Sequence, residues 1–130
     1  LLTLRAHELL RTADVVAYDE LVPPELVELA ADEAILVPVG RRARRGGAPP
    51  AYRLHPAVLE HSRRGRSVVR LKAGDPLVFG RGGEEAEELS LAGVPFEIVP
   101  GITSALGAAA YAGIPLTHRD LASDVAFASG

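Results

Sequence analysis

Hydrophobic positions along the chain follow two rhythms in turn. Leu4, Ala6, Leu9 and Leu10 recur at helical spacing, with Thr3 placed to cap the first turn. Residues 14–19 (DVVAYD) then read as a short strand rich in β-branched side chains. The prolines at 23 and 24 open a helix over residues 23–30, because proline suits a first helical turn. The unbroken apolar run at 34–40 (AILVPVG) reads as a strand buried on both faces. A polar Arg/Gly/Pro loop occupies 41–55, and a helix with proline near its start and glycine past its end covers 56–65. A strand at 67–72 (SVVRLK) leads to a helix at 83–93, whose early acids match the helix dipole and whose stop is Gly93. A strand at 96–99, a small-residue helix at 103–113 and a last strand at 124–128 complete the pattern.

Strands separated by helices imply right-handed crossovers and a parallel sheet. The expected fold class is α/β: a parallel-sheet, three-layer domain with helices on both faces. Polar residues and glycines collect after the strands, in YDELV, VGRRARR, KAGDPLVFGRGGEE and VPGITSA. That places them at the carboxyl edge of the sheet, where open α/β sheets bind ligands. Asp75 follows a strand directly, where a carboxylate can hold a ribose hydroxyl or a substrate N–H. The alternative is that these glycines only make tight turns.

Composition narrows the chemistry. The chain has 130 residues and no cysteine, which excludes disulfides, thiolate metal sites and a cysteine nucleophile. Its formal net charge is −3, which argues against a nucleic-acid binder. Lys72 is the single lysine among 14 basic residues, so it is the one lysine able to move a proton. No apolar run reaches the roughly 18 residues of a membrane span, and no secretory leader opens the chain, so a cytoplasmic location is expected. No histidine and acid set has zinc spacing, so no metal is expected. No G-x-S-x-G elbow or phosphate-binding loop is present. Glycines 80, 82 and 83 precede a helix that opens on Glu84 and Glu85, and two acids there disfavour a phosphate.

The blocks VVRLKAGDPLVFGRGGEEAEEL (68–89) and VPFEIVPGITSALGAAAYAGIPLTHRD (94–120), with ADVVAYDELV (13–22) and VPVGRR (37–42), resemble the tetrapyrrole methylases. Within them they are most similar to the uroporphyrinogen-III C-methyltransferases. The resemblance covers nearly the whole chain. It implies a homodimeric enzyme that transfers two methyl groups from S-adenosylmethionine (SAM) to uroporphyrinogen III. The product is precorrin-2, on the way to sirohaem and cobalamin. It implies SAM contacts at Ala73, Gly74, Asp75 and Val78, and at Thr103 and Ser104. It makes Asp19 the proton acceptor and Arg41, where the family has lysine, the proton donor. A guanidinium is a poor donor at neutral pH, so Arg41 either orients a carboxylate or leaves the proton to another group.

Arg42, His118 and Arg119 are candidate substrate contacts, since arginine suits carboxylates. His118 is equally read as a turn residue, Arg119 as an ion-pair partner of Asp120, and the 41–53 arginines as a solvated loop. The resemblance also implies that residues 1–130 are the SAM- and tetrapyrrole-binding first domain without its first strand, with the second domain absent. On that reading the isolated piece is inactive and marginally stable. The alternatives are a sibling enzyme methylating a later corrinoid precursor, and a non-catalytic remnant that only binds or dimerises.

Overall fold

The computed structural model describes residues 1–39 and 54–128. Its elements run α1 (Leu4–Thr12), β1 (Val15–Tyr18), α2 (Pro24–Val27), β2 (Ile35–Pro38), α3 (Pro56–Arg63), β3 (Val68–Leu71), α4 (Gly82–Leu91) and α5 (Ser104–Ala112). The three strands form one parallel sheet in the order β2-β1-β3. Val15 pairs with Ile35 on one side and Val68 on the other, and Tyr18 with Pro38 and Leu71. The central strand β1 is accordingly the most buried, with Val15 and Val16 wholly enclosed.

Successive side chains of a strand point to opposite faces, and each face here has its own core. Val16, Tyr18, Val69 and Leu71 share a cluster with Leu10 of α1, Ala13, Val22 and Val27 of α2. Ala17, Val37 and Val68 share the other with Leu54, Val58 of α3 and Leu89 of α4. Helices therefore cover both faces, as the alternation of elements requires. Local chemistry fixes the helix ends. Thr3 Oγ1 accepts the Ala6 N–H at 3.3 Å, and His55 Nδ1 accepts the Ala57 N–H at 3.3 Å. Gly93 and Gly113 take φ of +68° and +69°, the left-handed geometry that ends α4 and α5.

Several sequence expectations change. The 23–30 helix shortens to Pro24–Val27, and Leu29 and Ala30 continue it only as i→i−3 turns onto Leu26 and Val27. The strand expected at 34–40 is seen as Ile35–Pro38 and, among the described residues, lies at an edge of the sheet, with Ile35 41% and Leu36 47% exposed. An apolar run does not reveal whether its strand has one neighbour or two. Leu4 keeps the helical rhythm yet is 84% exposed, because the core-facing side of α1 is set by Leu10. Residues 96–99 and 124–128 form no strand among the described residues. Phe96, Ile98, Val125 and Phe127 all stand more than a third exposed, without a ladder partner to order them.

Candidate functional site

Parallel pairing in level register brings the carboxyl ends of the strands side by side. Asp19 leaves β1 with its N–H on the Leu71 carbonyl (3.3 Å), and Val39 leaves β2 with its N–H on the Tyr18 carbonyl (3.0 Å). Lys72 and the loop Ala73–Gly74–Asp75 leave β3 beside them. Arg41 and Arg42 follow Val39 in sequence and lie outside the described residues, as do the other arginines up to position 53.

The loop after β3 is bound to the segment that precedes α5. Asp75 Oδ1 accepts the Leu77 N–H at 2.8 Å, and Oδ2 accepts the Gly101 N–H at 3.0 Å. Gly101 lies so close to Gly74 that a Cβ would overlap the Gly74 carbonyl oxygen. Gly74 itself holds φ +76°, with Thr103 Cα 3.7 Å from where its Cβ would stand. Two backbones therefore meet with no side chain between them. Thr103 is buried at the N-cap position of α5, and Ser104 is exposed at its first residue. Val78 is half-buried and turns back on Asp75 through its N–H at 3.3 Å. The strand-following carboxylate that sequence marks as a ligand contact is thus also a tie between loops. Each of its oxygens accepts one backbone N–H and retains a second lone pair.

Beyond Val78 the backbone is strained. Phe79 and Arg81 take φ of +53° and +57°, left-handed values that are outliers for bulky residues. A Cβ on Gly80 would approach the Pro76 carbonyl oxygen to 2.7 Å. Gly80 and Gly82 are thus required by the fold of their own loop, whereas Gly83 has open space where a Cβ would stand. A cleft of about 1000 Å³ opens between α1, β3 and residues 94–102, bordered by Ala73, Gly74, Gly101 and Ser104.

Asp19 belongs to a cluster of four charges. Arg70 Nη2 bonds Asp19 Oδ1 and lies 3.1 Å from Glu85 Oε1. Lys72 Nζ lies 3.1 Å from Glu85 Oε2 and 3.6 Å from Asp19 Oδ2. The side chains are 16% (Arg70), 8% (Lys72), 12% (Glu85) and 24% (Asp19) exposed, so Asp19 is the most open member. Strand parity explains the meeting. Ala17 and Arg70 pair in register on the face covered by α4, and Asp19 and Lys72 continue that face two residues on. Arg70 and Glu85 escape the sequence reading, although Arg70 and Lys72 flanking buried Leu71 was the available signal.

His118 sits on an exposed turn. Its backbone bridges Ala122 in both directions, at 2.9 and 3.0 Å, and its Nδ1 accepts the Asp120 N–H at 3.3 Å. Arg119 is exposed on the same turn. No hydrogen bond or ion pair among the described residues joins either to Asp19 or to the 73–75 loop. Among the described residues there is also no group of three or more metal-ligating side chains, and no helix long and apolar enough to cross a membrane.

The sequence profile of the tetrapyrrole (corrin/porphyrin) methylases matches residues 1–129. The siroheme synthases of Pseudomonas fluorescens (strain Pf0-1) and Chromobacterium violaceum are 54% and 55% identical over all 130 residues of the chain, which corresponds to 28% and 27% of those proteins. The chain thus spans between a quarter and a third of the length of these relatives. Among solved structures, uroporphyrin-III C-methyltransferase from Thermus thermophilus, complexed with S-adenyl homocysteine, superposes with a TM-score of 0.76 at 47% identity. That match covers 95% of this chain and 50% of the other. A cobalt precorrin-4 methyltransferase superposes with a TM-score of 0.76 at 35% identity, over 93% of this chain and 48% of its own. On the extent of the profile match and these identities, the chain belongs to the tetrapyrrole methylase family.

Proposed function

We propose that this chain forms the methyl-donor loops and the proton-accepting edge of a SAM-dependent C-methyltransferase that methylates uroporphyrinogen III twice, giving precorrin-2. The observation that carries the reading is the Asp75–Gly101 tie, which joins the AGDP and PGITS loops at the carboxyl edge of the sheet beside Asp19. The residues present suit SAM on physical grounds. Backbone is exposed at Gly74, Ser104 is exposed, and Glu84 and Glu85 make α4 a poor phosphate site. Ala73, Gly74, Asp75, Val78, Thr103 and Ser104 would hold the donor.

When bound, SAM supplies an electrophilic methyl group on a sulfonium. The chain's own residues do the rest. The loops hold the reactants in line, so that much of the barrier is met by orientation. Asp19 accepts the proton that the macrocycle releases after a ring carbon is methylated. Arg41 stays protonated at neutral pH, so its role is to orient a substrate carboxylate or to stabilise developing negative charge. Arg42, His118 and Arg119 are the further contacts for the carboxylates of the substrate. In the complete protein we place this unit in a homodimer.

The test is calorimetry of SAM with the complete protein that carries this chain, followed by turnover with uroporphyrinogen III and mass analysis of the product. A doubly methylated product, with SAM binding weakened at least tenfold by Asp75→Ala, supports the reading. Absence of SAM binding overturns it. The likeness to cobalt precorrin-4 methyltransferase supplies a second reading, methylation of a later corrinoid precursor. Turnover of such an acceptor in preference to uroporphyrinogen III would establish that reading instead.

A further inference from the structure

Lys72 and Arg70 each have two acidic partners, Asp19 just after β1 and Glu85 on α4. Glu85 is linked to Asp19 through these two cations. It accepts from Arg70 Nε at 3.2 Å and from Lys72 Nζ at 3.1 Å, and Arg70 Nη2 and Lys72 Nζ also face Asp19, so the two acids share both cations. Arg70 is further fixed by its Nη1, which donates to the carbonyls of Ala17 (3.4 Å) and Leu71 (3.0 Å). Asp19 is the least buried of the four and, like Lys72 after β3, is the first residue past its strand.

We propose that Glu85 is a positioning residue. By sharing Arg70 and Lys72 with Asp19, it sets both the orientation of the Asp19 carboxylate and the pH at which that carboxylate becomes available to accept a proton. The proposal rests on the reading of Asp19 as the proton acceptor. It assigns a task to the second acid of the GRGGEE motif, which the donor site does not use. The charged groups facing Asp19 are Arg70 of β3 and Lys72 just after it, with Glu85 of α4 sharing both. Tyr18, the last residue of β1, and Glu20 flank it in sequence. The four charges sum to zero, so removing one partner must move Asp19 in a direction fixed by the sign removed.

The direction follows from electrostatics. A nearby cation favours the ionised carboxylate and a nearby anion disfavours it. Glu85→Gln leaves both cations to Asp19 alone and favours its ionised form. Lys72→Gln leaves two acids sharing Arg70 and disfavours it. The experiment is the pH profile of methyl transfer, kcat and kcat/KM, in the complete protein for wild type, Glu85→Gln, Lys72→Gln and the double variant. The acid limb is expected to move down by about one pH unit in Glu85→Gln and up by about one unit in Lys72→Gln. It should return toward the wild-type position in the double variant, with the KM for SAM unchanged throughout. If Glu85→Gln loses turnover altogether, recovery of activity in the double variant supports the proposal and failure to recover overturns it. SAM-dependent turnover with an unmoved acid limb in both single variants overturns the proposal alone. Absence of SAM binding by the wild-type protein overturns the methylase reading, and this proposal with it.

Discussion

Asp75 Oδ2 accepts the backbone N–H of Gly101 at 3.0 Å, across 26 positions of sequence, and so ties the loop after β3 to the segment leading into α5. The contact works because two glycines, Gly74 and Gly101, let the backbones close on each other. It gives a strand-end carboxylate a mechanical task beside any ligand contact it makes.

Asp75→Ala removes two hydrogen bonds from a charged acceptor, each worth roughly 1.5–3 kcal/mol when well formed. Because the loop is partly exposed, the expected loss is about 2 kcal/mol in total. It should be seen as faster hydrogen exchange at the Gly101 and Leu77 N–H groups than at β1. Unchanged exchange at both amides would show that the loops hold together without this carboxylate.

Gly101→Ala and Gly107→Ala should differ in sign. At Gly101 the added methyl would overlap the Gly74 carbonyl oxygen, which is backbone and cannot turn aside. Loss of loop order and of SAM binding is expected there. At Gly107, inside α5, the nearest atoms are side-chain carbons at 3.7 and 3.8 Å, an ordinary contact. Alanine there should stabilise the helix by roughly 0.5–1 kcal/mol. Thermal melts of the two variants decide the matter.

Leu10 is fully enclosed in the core that joins α1 to the sheet. Leu10→Ala is expected to destabilise by about 2–5 kcal/mol, with the spread set by how far the site collapses. Leu4→Ala, on the same helix but exposed, should change stability by less than about 0.5 kcal/mol. Urea denaturation of the two variants gives the comparison.

Asp14 accepts the Ser67 N–H at 2.7 Å and the Ser67 hydroxyl at 2.9 Å, and these bonds, the backbone one foremost, hold its carboxyl below the usual range. A folded pKa depressed in this way stabilises the fold above the unfolded value and loses that contribution as pH falls through the folded value. Melting temperature followed downward from neutral pH should therefore decline less steeply in Asp14→Asn than in the wild type. Parallel acid limbs for the two proteins would refute this assignment.

The sequence by itself determined the order of the five helices and of the three strands that form among the described residues, the parallel sheet between helices, and the loops that carry the candidate donor contacts. These follow from local causes. β-branched runs make strands, proline opens α2 and α3, and Gly93 and Gly113 stop α4 and α5 because they can take positive φ. The family blocks around positions 68–89 and 94–120 were equally legible, since motif residues lie close together along the chain. Tertiary structure alone decided three further things. It put β2 at an edge, because burial depends on which neighbours a strand has and not on its own composition. It left residues 96–99 outside the sheet, because a strand exists only through hydrogen bonds to a partner. It brought Asp19, Arg70, Lys72 and Glu85 together, because register and strand parity align residues from three elements that no local pattern relates. Electrostatic neighbours are set by distance through space, and the charge cluster around Asp19 is where that distance departs furthest from distance along the chain.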